Sequence, residues 1–186
     1  MESKKEITKK LLADSFKEIM LDTPFKNITI KMITDKCKVI RPTFYHHFKD
    51  KYEVLEYLID EDIMKNVYDL IENDMEFESI KMVFIRIEKN KEFVKLAFKI
   101  EGQNSFKEIL GYKIYKMFIK IINKHGLKEH NHSNILNKEN IAMYHTNGLV
   151  ASIEFWLDKG YEYNGLDMFD AYIYIVSHSI RDMLKI

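Results

Sequence analysis

The segment RPTFYHHFKDK, residues 41–51, concentrates polar, cationic and aromatic side chains that can contact nucleic acid. It holds one arginine, two lysines, two histidines, a threonine, a proline and three aromatic rings. An arginine guanidinium can donate two hydrogen bonds to guanine, and the carbon atoms of threonine and proline can contact the methyl group of thymine. Lysine and histidine can donate hydrogen bonds to phosphates, which position a protein on a duplex. These residue types indicate a surface that reads DNA.

A helical wheel divides this segment into two faces. Phe44 and Phe48 are one turn apart, so both point towards the protein interior if residues 41–48 are helical. Tyr45 and His47 lie at the borders of the opposite face. The side chains on that face that can reach base edges are Arg41, Pro42, Thr43 and His46. DNA binding requires that both phenylalanines are buried and that no other part of the chain covers the outer face.

The residues before this segment predict two helices and a tight turn. Apolar residues recur at helical spacing from residue 3 to residue 21, which predicts a helix that ends before Thr23 and Pro24. Thr29 is a suitable N-cap for a second, short helix, and residues 38–40 leave room only for a tight turn. The expected buried stripe of the first helix is Ile7, Leu11, Phe16, Ile19 and Met20.

Two features set the start of the next helices. A residue before proline avoids the helical conformation, so Arg41 is expected at the N-cap of the third helix and Pro42 at its first position. Asp50 is the expected cap of a long fourth helix from Lys51 to about Asn73. Two short helices joined by a tight turn, with a polar outer face on the second, form the helix-turn-helix of DNA-binding proteins. The alternative is an ordinary helical hairpin whose polar side is only solvated.

The rest of the chain is also predicted to be helical. Further helices are expected near 77–88, 91–101, 105–125, 138–159 and 168–185, with a polar loop at 125–134. No segment of useful length has the period of a strand. We therefore predict an all-α fold: an N-terminal three-helix, helix-turn-helix DNA-binding domain at residues 1–50 and a C-terminal helical bundle for effector binding and dimerisation at residues 51–186.

Charge is distributed unevenly along a chain whose formal net charge is zero. Residues 1–51 contain 12 Lys and Arg against seven Asp and Glu, which gives +5, and the remaining 135 residues carry −5. A basic N-terminal part can attract a polyanion, although lysine-rich surfaces are also often only solvated. The lack of a long apolar run and of an apolar signal core predicts a cytoplasmic protein without membrane spans. The single cysteine, Cys37, excludes an intrachain disulfide.

Residues 28–59, ITIKMITDKCKVIRPTFYHHFKDKYEVLEYLI, resemble the N-terminal helix-turn-helix of the TetR family of bacterial transcription regulators. The specific similarity is the pattern V-x-x-x-T-F-Y-x-H-F-x-x-K from Val39 to Lys51, followed by Leu55. The resemblance implies a homodimer that binds a palindromic DNA operator. It also implies phosphate contacts by Thr29, Tyr45, His47 and Lys51, and base-facing positions for Lys31, Arg41, Pro42, Thr43 and His46.

Two positions in the turn depart from the family pattern. Lys38 stands where glycine is usual, and a lysine in a left-handed turn carries strain of about 1 kcal/mol. Ile40 stands where a capping serine is usual, and isoleucine has no side-chain acceptor for a cap. Cys37 replaces a small alanine and is expected to pack where the two helices cross; a redox-sensing thiol is the alternative.

The C-terminal part predicts a dimer. The helix expected at 138–159 has apolar side chains nearly all round, which indicates burial on several sides. Together with the apolar face of residues 168–185, it suggests a four-helix bundle built from two helices of each subunit. Residues 148–169, GLVASIEFWLDKGYEYNGLDMF, are also similar to the C-terminal region of regulators of dihydroxyacetone-kinase operons.

An effector cavity is expected among the aromatic residues of this part. Apolar walls with a few polar tips are typical of small-molecule pockets. Six side chains offer that mixture: Tyr112, Tyr115, Phe118, Tyr144, His145 and Trp156. The same residues at helical spacing also fit an ordinary core. The effector is either a small molecule or a partner protein, and the sequence does not distinguish the two.

Enzymatic and metal-binding functions have no support in the sequence. It contains no glycine-rich phosphate loop, G-x-S-x-G turn or H-E-x-x-H helix. His125, His130 and His132 lie in a hydrophilic loop at spacings that fit no common ligand pattern. We predict no catalysis, no metal and no cofactor. The predicted function is a repressor that an effector releases from DNA; the alternatives are an activator controlled by a coactivator protein and a helical interaction module without DNA binding.

Overall fold

A computed structural model describes residues 3–128 and 134–185. These ranges contain helices and no β-strand, which confirms the predicted all-α fold. None of the described helices combines the length and apolar character needed to cross a membrane. In chain order the α-helices are α1 (Lys4–Asp22), α2 (Ile30–Cys37), α3 (Arg41–His47), α4 (Lys51–Leu58), α5 (Val67–Glu72), α6 (Glu76–Lys89), α7 (Lys91–Ala97), α8 (Phe106–His125), α9 (Lys138–Asp158), α10 (Gly165–Ser177) and α11 (Ile180–Met183).

The chain divides into two compact units. The first holds the residues up to Asp62 together with Asn90–Ile109, and the second holds Ile63–Lys89 and the residues from Leu110 onward. The first unit thus adds α4 and α7 to the helix-turn-helix. The functional boundary that we placed between residues 50 and 51 stays a prediction.

Helix α1 organises the first unit. A capping box begins it: the Ser3 hydroxyl accepts a hydrogen bond from the Glu6 amide (3.2 Å), and the Glu6 carboxylate accepts one from the Ser3 amide (2.8 Å). α1 packs against α2, α4 and α7. The predicted stripe is partly wrong, because Ile7 and Leu11 are 53% and 45% exposed. Phe16 and Met20 are buried as predicted, together with Leu12 and Ala13.

Helix α2 has the predicted N-cap and is followed by the predicted tight turn. The Thr29 hydroxyl accepts a hydrogen bond from the Met32 amide (3.2 Å). Lys38 adopts a left-handed conformation, with φ of 57°. The amides of Lys38 and Val39 donate to carbonyls in the last turn of α2 (3.1 and 3.0 Å), which is the hydrogen-bond pattern of a Schellman motif. The turn therefore has regular geometry although lysine occupies the glycine position.

The start of α3 differs by one residue from the prediction. Ile40 is the N-cap and makes no side-chain cap hydrogen bond, so Arg41 is the first helical residue rather than the cap. Pro42 lies in the first turn, where no helical hydrogen bond needs its missing N–H. The next helix begins as predicted, since the Asp50 carboxylate accepts hydrogen bonds from the Tyr52 and Glu53 amides (2.8 and 3.0 Å).

The predicted long fourth helix is interrupted, which corrects the expectation from periodicity. A π-helical segment, Ile59–Met64, follows α4, and Asn66 has a left-handed φ of 61° before α5 begins. The interruption frees main-chain carbonyls from the regular helical pattern. Arg86 of α6 donates hydrogen bonds to two of these carbonyls, at Ile63 and Lys65. This contact joins residues distant in sequence, so local periodicity contains no sign of it.

Aromatic side chains form the centre of the second unit. The Phe84 ring on α6 lies 6.2 Å from Trp156 on α9 and 5.9 Å from Tyr172 on α10, measured between ring centroids. Gly165 allows α10 to begin close to α6, because a Cβ there would lie 3.0 Å from the Phe84 main-chain oxygen. The Gly165 amide also donates to the Glu88 carboxylate (3.0 Å). These contacts hold α6, α9 and α10 together.

The helix predicted at 168–185 is two helices, which is a second correction. α10 ends at Ser177, and His178 has an extended backbone. Ser179 then begins α11 through a capping box with Asp182. The apolar pattern continues across this break and therefore did not reveal it. The capping signal in the sequence is Ser179 with Asp182 three positions later.

Replacing Lys38 with glycine is expected to stabilise the protein. Glycine adopts the left-handed conformation without the steric cost that lysine carries, so the free energy of unfolding should rise by about 1 kcal/mol. Urea denaturation followed by circular dichroism measures the change. Lys36→Gly, within α2, is the matched control and should lower the free energy of unfolding by about 1 kcal/mol. Destabilisation by both substitutions would show that the left-handed position carries no strain.

Candidate nucleic-acid interface

Phe44 of α3 and Phe48, which follows its last residue, anchor the helix to the first unit, as predicted. Phe44 is 0% exposed and Phe48 is 1% exposed. Their ring centroids lie 5.8 Å apart, and the Phe48 ring meets Tyr57 of α4 edge to face at 5.6 Å. Because both rings are buried, the orientation of α3 is fixed and its other side faces outward.

The outer face of α3 is open to solvent within the described part of the chain. Arg41, Pro42, Tyr45 and His46 are exposed, and Thr43 is half-buried. Arg41 Nη2 donates a hydrogen bond to the Tyr45 hydroxyl (3.4 Å). The structure thus brings five of the predicted DNA-binding residues onto one surface. Their individual contacts to bases and phosphates stay predictions.

The two predicted contacts on α2 lie at its exposed start. The Thr29 hydroxyl oxygen accepts the cap hydrogen bond, which leaves its O–H free to donate to another acceptor. Lys31 forms an ion pair with Asp35 (2.7 Å), and both side chains are mostly exposed. Exposed pairs of this kind contribute at most about 1 kcal/mol. Lys31 can therefore leave Asp35 for a group on DNA at low cost.

Lys51 lies in a different environment from the one predicted. Its ammonium donates hydrogen bonds to three main-chain carbonyls, those of Phe25 (2.7 Å), Lys26 (3.3 Å) and Ile28 (3.1 Å). It also lies 4.4 Å from the centre of the Phe25 ring. These bonds use all three donors of the ammonium. Lys51 therefore ties the start of α4 to the segment before α2, and a phosphate contact requires it to release at least one carbonyl.

His47 lies half-buried at the end of α3, beside a group of cations. Its Nδ1 is buried and has no hydrogen-bond partner among the described residues. Burial lowers the pKa of His47, and the positive charges of His46, Lys5 and Lys9 lower it further. Lys9 of α1 lies 5.2 Å from the centre of the Phe48 ring, so the start of α1 adjoins the end of α3.

Lys5 and Lys9 were not predicted as part of the site. The only signal for them in the sequence is the density of lysines in the first ten residues. Their proximity to His47 depends on how α1 packs in the first unit, which the sequence pattern did not determine correctly. Lys5 and Lys9 add positive charge beside His47, which can attract phosphates.

Cys37 is buried in the first unit, as expected, and packs where α1 and α2 meet. Its thiol donates a hydrogen bond to the Leu11 carbonyl of α1, with Sγ to O at 3.5 Å. Burial raises the pKa of the Cys37 thiol. Since the thiolate is the reactive form, this environment disfavours the redox-sensing alternative.

The residues predicted to line an effector cavity do not gather in one place in the second unit. Tyr112 and Tyr115 border a surface cavity of about 440 Å³ on α5 and α8. Phe118 and His145 contact each other, with ring centroids 5.4 Å apart. Burial lowers the pKa of His145, which favours its neutral form.

The other two predicted effector residues have opposite exposures. Trp156 is fully buried, and its indole nitrogen donates to the Tyr163 carbonyl (2.7 Å). Tyr144 is 75% exposed. Trp156 is thus a core residue whose polar atom is already paired, and the expectation of one cavity lined by all six residues does not match this arrangement.

Among the histidines that were considered as metal ligands, His125 lies in the described part of the chain, beside the carboxylates of Asp74 and Glu76. His130 and His132 lie outside the described residues. His125 Nε2 lies 2.6 Å from the Glu76 carboxylate, and the Lys124 ammonium lies 3.5 Å from the same carboxylate. This group is an ion-pair network in which a lysine already supplies the positive charge.

Two protein-family descriptions match the chain. Residues 17–58 match bacterial regulatory proteins of the tetR family, and residues 74–178 match a transcriptional regulator C-terminal region of TetR type. The second match alone covers more than half of the 186 residues.

Individual relatives are also regulators. The HTH-type dhaKLM operon transcriptional activator DhaS of Lactococcus lactis subsp. lactis (strain IL1403) is 32% identical over 56 residues, so the aligned part spans only 30% of that relative. The solved structure of the dihydroxyacetone kinase operon activator DhaS has a TM-score of 0.62 and 22% identity, covering 92% of this chain and 93% of that one. NalD, the secondary repressor of the MexAB-OprM multidrug efflux pump in Pseudomonas aeruginosa, has a TM-score of 0.67 and 11% identity over 91% and 94%. At these identities the solved structures show a shared fold.

Binding to DNA is expected to strengthen as the pH falls, in part through His47. Burial and nearby cations keep the pKa of His47 below the ordinary histidine value in the free protein. A phosphate favours the protonated ring, so DNA binding should raise that pKa. Binding then takes up a proton, and the affinity for a short duplex should rise as the pH is lowered from about 7.5 to about 6.

Fluorescence anisotropy with a labelled duplex measures this pH dependence. His47→Gln should reduce it, whereas His125→Gln changes a histidine of the second unit outside the predicted dimer interface and should leave it unaltered. A His47→Gln protein with the full wild-type pH dependence would place the proton uptake elsewhere.

Proposed function

The chain belongs to the TetR family of bacterial regulatory proteins and is a DNA-binding transcriptional regulator, and on this premise we propose that it is a homodimeric repressor released from its operator by an effector. The observation that carries the proposal is the burial of Phe44 and Phe48, which leaves the opposite face of α3 open. A chain devoted to this task needs no catalytic site, and we propose that it is not an enzyme. We also propose that it is cytoplasmic, because the DNA partner of a bacterial regulator lies in the cytoplasm.

In the proposed complex, α3 enters the major groove of the operator. Arg41 donates two hydrogen bonds to a guanine, while the carbon atoms of Pro42 and Thr43 contact a thymine methyl. His46 reaches a base edge on the same face, and Tyr45 donates to a phosphate. The exposure of these groups in the free protein supports the proposal, because binding requires no rearrangement to uncover them.

The contacts outside α3 are proposed to position the protein on the duplex. Thr29 and Lys31 lie at the start of α2, where the helix dipole also favours a phosphate. His47 donates to a phosphate at the other end of the site. Lys51 can contribute only after it releases a main-chain carbonyl, so we propose that its role is to hold the segment before α2.

The homodimer is proposed to form through residues 138–159 and 168–185. Within the second unit, Phe155 and Ile175 line an apolar groove on α9 and α10. Large apolar side chains continue to be exposed along this part of the chain, which is typical of an interaction surface. They are Tyr144, Phe155, Leu166, Tyr174, Ile175, Ile180 and Leu184. Two helices from each subunit would form a four-helix bundle.

The effector is proposed to bind in the second unit near Tyr112 and Tyr115, with the Phe118 and His145 contact as the neighbouring candidate. The cavity beside Tyr115 also includes Tyr68, whose hydroxyl donates to the Lys113 carbonyl (3.2 Å). The signal is proposed to travel along the continuous chain from α5 back to α4. The α3 helices of the two subunits must lie one DNA turn, about 34 Å, apart to bind the operator. A change in this distance would lower operator affinity.

A second candidate is an activator controlled by a coactivator protein. The similarity to DhaS favours it, because the name of that relative describes an operon activator. In this case the surface of the second unit would receive a protein rather than a small molecule. The third alternative, a helical module without DNA binding, is excluded by the family to which the chain belongs.

Selection of bound fragments from random DNA tests the proposed function. A two-fold symmetric dimer should enrich a palindrome whose half-sites lie about 34 Å apart or a multiple of it. Arg41→Ala should then relax the preference at one position of each half-site, with a loss of about 1–3 kcal/mol for the preferred base. Tyr45→Phe should weaken all sequences alike. Enrichment of an asymmetric sequence, or of none, would contradict the proposed operator.

Charge placed in the proposed interface should separate the subunits. The wild-type protein is expected to sediment at twice the chain mass of 22.3 kDa. Ile175→Glu replaces a side chain that is 60% exposed on α10 and should give a species of single-chain mass, because an unpaired carboxylate would be buried at the contact. Ile135→Glu, at an equally accessible isoleucine of the same unit, should stay dimeric. A dimeric Ile175→Glu protein would place the interface elsewhere.

A further inference from the structure

The first unit contains a cavity that none of the functions above uses. Its volume is about 900 Å³, and it is bordered by the end of α1 with the loop that follows, the start of α4, and the end of α7. Cavities that bind small molecules measure about 300–1,000 Å³. No residue of α3 lines it, so a ligand there would leave the recognition face open.

The wall of the cavity combines an apolar part with charged side chains. Met20 and Ile100 are buried, and Leu96 is half-buried. The rings of Phe25 and Tyr52 meet edge to face, with centroids 5.0 Å apart. A hydrocarbon chain or ring that packs against these groups would remove apolar surface from water on both sides of the contact.

The half-buried charge in this wall is positive. The Lys51 ammonium donates to three carbonyls, and it forms no ion pair with a carboxylate in the ranges that the structure describes. Burial is the cause that lowers the pKa of Lys51, with no acidic neighbour to offset it. The other charged side chains of the lining are exposed, and they balance in sign: Asp22, Lys26, Lys99 and Glu101.

We propose that this cavity binds an amphiphilic monocarboxylate, an organic acid with one carboxylate and a hydrocarbon chain or ring. The hydrocarbon part packs against Met20, Phe25 and Ile100, and the carboxylate pairs with Lys51. A neutral lipid would leave the half-buried ammonium without an anion. The other charged side chains at the border balance in sign, so Lys51 leaves one positive charge unmatched, which fits a single carboxylate.

The ligand acts on DNA binding through Lys51, and this consequence rests on the proposed function. The carbonyls that Lys51 holds belong to residues 25, 26 and 28, directly before the α2 cap Thr29. A carboxylate competes with them for the same N–H donors. The segment before α2 then loses its tie to α4, so the helix-turn-helix is held less firmly and DNA affinity falls.

Nuclear magnetic resonance of ¹⁵N-labelled full-length protein measures the binding directly, with sodium octanoate as the probe and 1-octanol as its uncharged comparator. Octanoate should shift the amide signals of residues 24–28 and 96–101, and it should bind at least tenfold more tightly than octanol. Lys51→Met keeps the methylene stem and removes the charge, so it should abolish the difference between the two probes. Lys51→Arg should largely preserve it.

A second variant keeps the test decisive if Lys51→Met unfolds the protein. Leu96→Trp places a bulky indole ring at the cavity wall and should lower the affinity for octanoate at least tenfold. Leu127→Trp adds the same ring at an exposed position of the second unit and should leave octanoate binding unchanged. Equal affinities for octanoate and octanol, or wild-type affinity in Leu96→Trp, would overturn the proposed site.

A measurement of DNA affinity distinguishes a failure of this site from a failure of the proposed function. Octanoate at saturation should lower the affinity for a labelled duplex in the wild type and not in Leu96→Trp. Octanoate binding without any change in DNA affinity would uphold the cavity as a carboxylate site and reject its action on DNA. Signals that shift only in the second unit would assign the probe to the exposed apolar surface there, which contradicts the proposal.

Discussion

The recognition helix depends on the burial of two aromatic rings beneath it. α3 has seven residues, fewer than an isolated helix needs for stability in water. Phe44 and Phe48 supply the missing stability from tertiary contacts, since each fully buried ring contributes about 1.5–3 kcal/mol. The same burial determines which side chains point outward. The identity of the outward-facing residues is thus a consequence of the burial of Phe44 and Phe48.

At several helix ends and interruptions in this chain, main-chain carbonyls accept hydrogen bonds from cationic side chains of distant segments. Lys51 donates to carbonyls before α2, Arg86 donates to carbonyls beside the π-helical segment, and Lys124 donates to the Ile71 and Glu72 carbonyls near the end of α5. Main-chain carbonyls that lose their helical partners need another donor. Part of the lysine and arginine content is therefore structural, which limits what net charge alone can say about DNA binding.

Local signals made much of the fold predictable, and non-local contacts account for the errors. Thr29 and Asp50 were recognisable as caps because each hydrogen bond spans no more than three residues. The carbonyls at the break after α4 accept hydrogen bonds from Arg86, more than twenty residues away, and local periodicity does not indicate such a contact. For the site, residue types located α3 and its outer face. They could not show that Lys51 is already occupied, because that depends on how the loop before α2 folds over the start of α4.

Lys51 stands between two possible anions, a DNA phosphate and a carboxylate in the adjoining cavity. Its three donors are filled in the free protein, so either anion must displace a carbonyl and loosen the segment before α2. If an anion in the cavity lowers DNA affinity by some factor, DNA must lower the affinity for that anion by the same factor. The coupling requires no contact between the two ligands. It rests on the proposal that the hydrogen bonds of the Lys51 ammonium hold the helix-turn-helix in the conformation that presents α3.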